Sequence, residues 1–136
     1  MKNQTNNISF DFDGTLSVFE VEQIALSLKN RGYNIWITTV RYPDDYQGSL
    51  YTGQKIDNSK VYEVSNRIGI PKEQINFLSF DPKRKFFIEN PNFIFHLDDN
   101  FFKEVVDMNE SEECLVPAVW YHPNLTDWKD KINAYL

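Results

Sequence analysis

Two pairs of aspartates, far apart in the sequence, carry the clearest chemical signal. Asp11 and Asp13 end the apolar run in ISFDFDGTLS, and Asp98 and Asp99 end the apolar run in FIFHLDDN. Side chains two positions apart on a strand lie on the same side of it, so the first pair can converge on one point. Carboxylates held within a few ångströms raise one another's pKa, and a divalent cation relieves that repulsion. Because Mg²⁺ prefers oxygen ligands, the aspartates predict a Mg²⁺ site.

Other polar residues follow two further apolar runs. Thr39 and Arg41 lie in WITTVR, and Lys83 and Lys85 lie in DPKRKFF. Ligands of parallel α/β sheets gather beyond the carboxyl ends of the strands, so we expect these groups to meet the aspartates at one sheet edge. Gly14 directly follows the first aspartate pair, and it allows a tight turn and the close approach of a ligand to the backbone.

Strands and helices alternate along the chain. Short apolar runs rich in β-branched and aromatic residues predict strands, and apolar residues three and four positions apart predict helices. The predicted strands cover residues 7–12, 34–40, 74–80, 92–99 and 114–120. The predicted helices cover residues 20–33, 59–67 with Ser59 as the cap, 83–89, 100–108 and 125–136, and a long loop covers residues 41–58. This order indicates an α/β fold, a three-layer αβα Rossmann-like domain with a five-stranded, mainly parallel sheet.

The composition fits a single domain over residues 1–136. The chain is 41% hydrophobic and 15% aromatic, and chains of roughly 100 to 200 residues usually form one domain. The formal net charge is -6 and the sequence pI is about 4.8, so the overall field repels polyanions. A nucleic-acid partner is therefore not supported by the net charge, although a bound cation would reverse the local sign. The sequence leaves the oligomeric state open.

Two further features predict where the protein works. No apolar run approaches the roughly 20 residues that cross a bilayer, and MKNQTNNIS lacks the apolar centre of a signal peptide. We therefore expect no membrane partner and a cytoplasmic location. The single cysteine, Cys114, cannot form an internal disulfide, which fits a reducing compartment. Its apolar neighbours in CLVPAVW predict a buried, unreactive strand residue.

The motifs together resemble those of the haloacid dehalogenase-like (HAD) hydrolase superfamily. SFDFDGTL resembles the first motif, an apolar strand ending in D-x-D-G-[TV]; WITTVR resembles the second, and FIFHLDDN resembles the fourth. The third motif is a lysine, which Lys83 or Lys85 could supply. We favour Lys83 because Phe86 and Phe87 would then lie one turn on, facing the core. The resemblance spans residues 8–100 in the required order.

The resemblance implies a role for each residue near the phosphate. Asp11 would be the nucleophile, and Asp13 would be the general acid and then the general base. Thr39 and Lys83 would hold the phosphoryl oxygens. Arg41 and Lys85 are further candidate substrate-binding residues.

The resemblance also implies a ligand set for Mg²⁺. The ligands would be the carboxylates of Asp11 and Asp98 and the backbone carbonyl of Asp13. Asp99 would act through a water or by orienting the other ligands. The function implied is that of a minimal, uncapped, Mg²⁺-dependent phosphatase, which hydrolyses a phosphomonoester through an aspartyl-phosphate.

The substrate stays open between a nucleotide, a nucleic-acid end, a phosphoprotein and a small metabolite. The alternative function is a catalytically inactive module of the same fold that binds Mg²⁺ or phosphate. A response-regulator receiver is disfavoured, because its paired acids follow the first strand and its lysine follows the fifth, whereas CLVPAVW has no lysine.

Two histidines and three tyrosines are also candidates for contact with a substrate. His96 is predicted to be a hydrogen-bonded core residue, and His122 is predicted to have a loop role. Tyr42, Tyr46 and Tyr51 could either wall a substrate or pack the long loop down.

Overall fold

The structure, a computed structural model, describes residues 5–46 and 55–136. Five strands form one sheet in the order β3-β2-β1-β4-β5, and every neighbouring pair is parallel. The strands are β1 (Asn7–Phe10), β2 (Asn34–Thr39), β3 (Ile75–Phe77), β4 (His96–Asp98) and β5 (Ala118–Trp120). The predicted α/β fold with a five-stranded parallel sheet is confirmed.

The helices pack against the sheet through two clusters of buried hydrophobic residues. The helices are α1 (Phe19–Asn30), α2 (Ser59–Ile68), α3 (Lys83–Glu89), α4 (Asp107–Glu110) and α5 (Asp127–Tyr135). Buried residues of α1, α2 and α5 share one cluster, and those of α3 and α4 share the other. Two turns, Phe12–Leu16 and Phe101–Val106, follow β1 and β4, and the backbone of the first is not helical at Asp13 and Gly14. These turns carry the chain away from the carboxyl ends of the two strands that bear the aspartates.

The register of the sheet brings the central strand ends together. Phe10 of β1 pairs with Ile37 of β2 and with Leu97 of β4. The backbone N–H of Asp11 still donates to the Leu97 carbonyl, at 2.9 Å. Asp11 and Asp98 therefore leave adjacent strands at the same level.

Some predicted boundaries differ from the structure. The prediction that Ser59 caps α2 was wrong: Ser59 is the first helical residue, and its N–H donates to the Asp57 carboxylate at 3.0 Å. The Asp57 carboxylate, two positions before this N–H, closes the turn that the serine was expected to close. The helix ends at Gly69, which has a φ of 90° and whose N–H donates to the Ser65 carbonyl.

The prediction that Cys114 is a buried strand residue was also wrong. Cys114 is half-buried and precedes β5, which begins only at Ala118. Its thiol contacts the Val116 carbonyl at 3.6 Å. Burial raises the pKa of this thiol, which is consistent with the predicted low reactivity.

Residues 41–46 and 55–58 form the described parts of the predicted long loop, and both are irregular as expected. Tyr42 packs on Tyr46 and Phe80, with ring centroids 4.1 and 5.3 Å apart. Tyr51 lies outside the described residues. Among the described helices, none combines the length and apolarity that a membrane span requires.

Candidate functional site

A cavity of about 420 Å³ opens at the carboxyl ends of the central strands. The ionisable side chains that line it are Asp11, Asp13, Lys83, Asp98, Asp99 and Glu104. Three structural elements supply these residues: the turn after β1, the start of α3, and the segment that runs from β4 through the following turn. Charged groups from distant parts of the sequence therefore converge on one space, as the strand ends predicted.

The turn after β1 holds Asp11 close to Asp99, which follows β4. The Thr15 hydroxyl lies 3.2 Å from Asp11 Oδ2 and 3.1 Å from Asp99 Oδ1, so it bridges the two carboxylates. Gly14 has a φ of +75°, and a Cβ there would meet the Asp99 carboxylate. A glycine is needed because the turn both adopts a left-handed conformation and passes directly against Asp99.

Lys83 is the cation of this cluster. It is the first residue of α3 and is buried, with Nζ 2.7 Å from Asp11 Oδ1 and 2.5 Å from Asp98 Oδ2. Burial works to lower the pKa of the Lys83 ammonium, but the two carboxylates outweigh it and raise the pKa, so Lys83 is charged. Lys85 is exposed and lines a different cavity. The structure thus brings Lys83, and not Lys85, to the aspartates.

Asp98 is surrounded by donors. Its Oδ2 also accepts from His96 Nε2 at 2.8 Å, and its Oδ1 accepts from the Asn100 N–H at 2.9 Å. Burial works to raise the pKa of Asp98, yet the His96 hydrogen bond and the Lys83 charge outweigh it and lower the pKa to about 2. His96 is completely buried and bonded at both ring nitrogens, which confirms the prediction of a core histidine.

The pKa of Asp11 shifts in the opposite direction to that of Asp98. Burial raises its pKa well above the usual range, the Lys83 charge lowers it only in part, and the nearby Asp98 raises it further. The surroundings of Asp11 therefore disfavour its ionised form. An additional cation next to Asp11 would favour that form.

Three of the four predicted metal-ligating aspartates can share one ion. Asp11, Asp98 and Asp99 each offer an oxygen, and these oxygens lie within 4.8 Å of one another. Three carboxylates against the ammonium of Lys83 leave two negative charges, which one divalent cation balances. An all-oxygen donor set of this kind fits a hard cation such as Mg²⁺.

The side chain of Asp13 is directed elsewhere. It accepts two hydrogen bonds from Arg41, at 2.7 and 2.8 Å, and it is 57% exposed at the mouth of the cavity. Arg41 Nη1 also donates to the Asp57 carbonyl and to Asn58 Oδ1. The predicted metal contact of Asp13 used its backbone carbonyl, and that contact stays a prediction. Arg41 is placed at the mouth of the site through its pair with Asp13.

Thr39 ends β2 and is completely buried. Its hydroxyl accepts from the Arg41 N–H at 3.3 Å, so it shapes the turn that presents the Arg41 side chain. The next residue, Val40, lines the cavity. Contact between Thr39 and a phosphate stays a prediction.

Glu104 is a site residue that the sequence reasoning missed. It is buried, and its Oε2 accepts from the backbone N–H of Lys83 at 3.2 Å. Burial raises the pKa of this carboxyl, partly offset by the Lys83 charge. Glu104 thereby fixes the start of α3 and the position of Lys83. The available signal was its spacing of four from Asn100, which places both residues on one face of a helix.

The chain matches no family model, no curated protein and no solved structure.

Proposed function

We propose that the protein is a Mg²⁺-dependent phosphatase of the HAD-like type, which hydrolyses a phosphomonoester through an aspartyl-phosphate. One observation carries the proposal: the Lys83 ammonium bridges Asp11 and Asp98 beside Asp99, in the cavity whose mouth holds Asp13. A nucleophilic carboxylate, a fixed cation and a separate proton carrier are the groups that this reaction needs.

Asp11, Asp98 and Asp99 would hold the metal ion. When bound, Mg²⁺ would neutralise the remaining negative charge of the cluster and polarise a phosphoryl oxygen. The Lys83 ammonium supplies a second positive charge where charge develops on the phosphoryl group.

The reaction divides into two displacements at phosphorus. A carboxylate oxygen of Asp11 forms a bond to phosphorus, and the bond to the ester oxygen breaks as Asp13 gives that oxygen a proton. Asp13, now ionised, takes a proton from water while the water oxygen attacks the same phosphorus. The bond between Asp11 and phosphorus breaks, which releases inorganic phosphate and restores both aspartates.

The pair between Asp13 and Arg41 must open before Asp13 can carry a proton. Two oxygens of a phosphate dianion can accept the two parallel N–H bonds of a planar guanidinium. We therefore assign Arg41 to the incoming phosphate, which would displace Asp13 toward the ester oxygen. This assignment gives Arg41 a substrate-binding role that fits its place at the mouth of the cavity.

The test is the release of p-nitrophenol from its phosphate ester, with Mg²⁺ and with EDTA. We expect Mg²⁺-dependent release by the wild-type protein and none by Asp11→Asn. Asp130→Asn changes an exposed aspartate of α5 and is the matched control, which should keep wild-type activity. A quench with ³²P-labelled substrate should trap an acid-stable, hydroxylamine-sensitive label on the wild-type chain only.

Release that is equal in wild type and Asp11→Asn would refute the proposal. Tight Mg²⁺ or phosphate binding without release, over a panel of nucleotides, phosphorylated oligonucleotides, phosphopeptides and sugar phosphates, would favour the inactive binding module instead.

A further inference from the structure

A row of buried polar side chains lies behind Asp98, on the three central strands. Thr38 of β2, Ser9 of β1 and His96 of β4 are each 0% exposed. Ser9 Oγ lies 2.8 Å from Thr38 Oγ1 and 2.8 Å from His96 Nδ1, and His96 Nε2 lies 2.8 Å from Asp98 Oδ2. The row is continuous from the middle of the sheet to the candidate metal site.

The proton on His96 Nε2 follows from the chemistry of its neighbours. An ionised carboxylate only accepts hydrogen bonds, so Nε2 must carry the proton that bonds Asp98. Ser9 has a single hydroxyl proton, which it gives either to His96 Nδ1 or to Thr38. In the first case the ring is neutral, and in the second Nδ1 also carries a proton. Nε2 donates to Asp98 in both arrangements.

A buried polar row inside the sheet requires an explanation other than packing. An apolar side chain at position 96 would fill the same space, because the ring already packs on Phe87 with centroids 5.0 Å apart. Such a change would leave Ser9 without one partner and Asp98 with one fewer donor. Packing alone therefore does not account for a histidine at this position, whereas its hydrogen bond to Asp98 does.

We infer that His96 is a positioning residue that orients the Asp98 carboxylate toward a cation shared with Asp11 and Asp99, and that Ser9 orients the His96 ring. The inference rests on the cation site of the proposed function and not on hydrolysis. Its physical basis is that partners behind a metal ligand hold the ligand's rotamer and raise its affinity, with losses of roughly 10- to 100-fold in metal affinity or activity when they are removed.

The experiment measures Mn²⁺ binding by electron paramagnetic resonance, with Mg²⁺ as the competitor. His96→Leu should weaken Mn²⁺ binding by at least about tenfold. His96→Gln keeps an N–H near the Nε2 position and should restore most of the affinity, which a merely structural role would not predict. His122→Leu replaces the only other histidine of the sequence and should bind Mn²⁺ as wild type does.

Two further measurements apply if His96→Leu does not fold. Ser9→Ala removes the hydroxyl next to Nδ1 and should weaken Mn²⁺ binding in a folded protein. Nitrogen NMR of the wild-type protein should show that His96 Nε2 is protonated.

Several results would overturn the inference. These are wild-type affinity in both His96→Leu and Ser9→Ala, an unprotonated Nε2, or a wild-type protein that binds no Mn²⁺. Mn²⁺ binding that depends on His96, without phosphate release, would refute the hydrolase proposal and leave this inference standing.

Discussion

Replacement of Lys83 by methionine tests the electrostatics of the whole cluster. The side chains of Lys83 and Asp98 are 2% and 1% exposed, and that of Asp11 is 8% exposed. Methionine has a similar length and no charge, so it removes the ammonium without opening a large cavity. Loss of one partner from a buried ion pair typically costs about 3 to 5 kcal/mol. We expect Lys83→Met to lower the free energy of unfolding by an amount in that range at pH 7 without metal. Asp98 keeps two other hydrogen-bond donors, whereas the Asp11 side chain keeps only the Thr15 hydroxyl.

The assay is urea unfolding followed by tryptophan fluorescence, in EDTA and in excess Mg²⁺. Lys85→Met is the matched control, since Lys85 lies two positions further along α3 and is exposed. Its free energy of unfolding should change by less than about 0.5 kcal/mol. Mg²⁺ at 100 times its dissociation constant stabilises a protein by about 2.7 kcal/mol. The gain from Mg²⁺ should be larger in Lys83→Met than in wild type, because a divalent cation then replaces the missing charge.

The pH dependence gives a second check on Lys83→Met. Burial raises the pKa of Asp11, and without Lys83 the opposing charge is gone. A carboxyl whose pKa is raised by folding binds a proton more readily in the folded state, so stability is lost as the pH rises through that pKa. The variant in EDTA should therefore become more stable as the pH falls from 7 toward 5. A variant within about 1 kcal/mol of Lys85→Met in EDTA, or one insensitive to Mg²⁺, would refute this account of the cluster.

Three other predictions use the same stability and binding assays. Asp11→Asn should raise the melting temperature in EDTA at pH 7, because it removes a carboxylate whose pKa burial raises. It should also remove most of the increase in melting temperature that Mg²⁺ produces. A lower melting temperature of this variant in EDTA would contradict the prediction. Gly14→Ala and Gly32→Ala should each lower the free energy of unfolding by about 1 to 2 kcal/mol, because both residues have positive φ. Only Gly14→Ala should weaken Mn²⁺ binding, since only its Cβ would meet Asp99. Equal Mn²⁺ affinity in the two variants would contradict this geometry. Arg41→Lys should change the free energy of unfolding by less than about 1 kcal/mol, because the ion pair of Arg41 is partly exposed. The variant should nevertheless show weaker inhibition of p-nitrophenol release by inorganic phosphate, since lysine lacks the planar guanidinium. Unchanged inhibition would show that Arg41 does not bind the phosphate.

The sequence predicts the sheet and the convergence of its strand ends because both depend on local patterns. An apolar run that stops at an aspartate marks where a buried strand reaches the carboxyl edge of the sheet, as in β1 and β4. Helical spacing likewise favoured Lys83 over Lys85: Phe87 is four positions after Lys83, both are buried on one face of α3, and Lys85 lies on the exposed side.

Other features depend on contacts that no local pattern encodes. The pair between Asp13 and Arg41 joins residues 28 positions apart, and it forms only because two separate turns present the side chains to each other. The position of Cys114 was missed because apolarity continues upstream of β5, whereas the ladder of hydrogen bonds begins at Ala118. The buried row through Ser9 could not be predicted, since its residues meet only when β1 lies between β2 and β4.

The two carboxylates that share the Lys83 ammonium differ in their other donors, and this difference separates their roles. Asp98 accepts hydrogen bonds from His96 and from the Asn100 N–H. The His96 hydrogen bond and the Lys83 charge outweigh burial and lower the pKa of Asp98 to about 2, so this carboxyl is ionised at neutral pH. Asp11 has one further side-chain donor, the Thr15 hydroxyl, and burial raises its pKa. In the proposed reaction, a carboxylate that several donors hold in place would serve as a ligand, whereas one with unsatisfied charge would gain from bonding to an electrophile. In the proposed reaction, the same burial that makes Asp11 costly to ionise in the absence of a cation would therefore favour Asp11 over Asp98 as the carboxylate that attacks phosphorus.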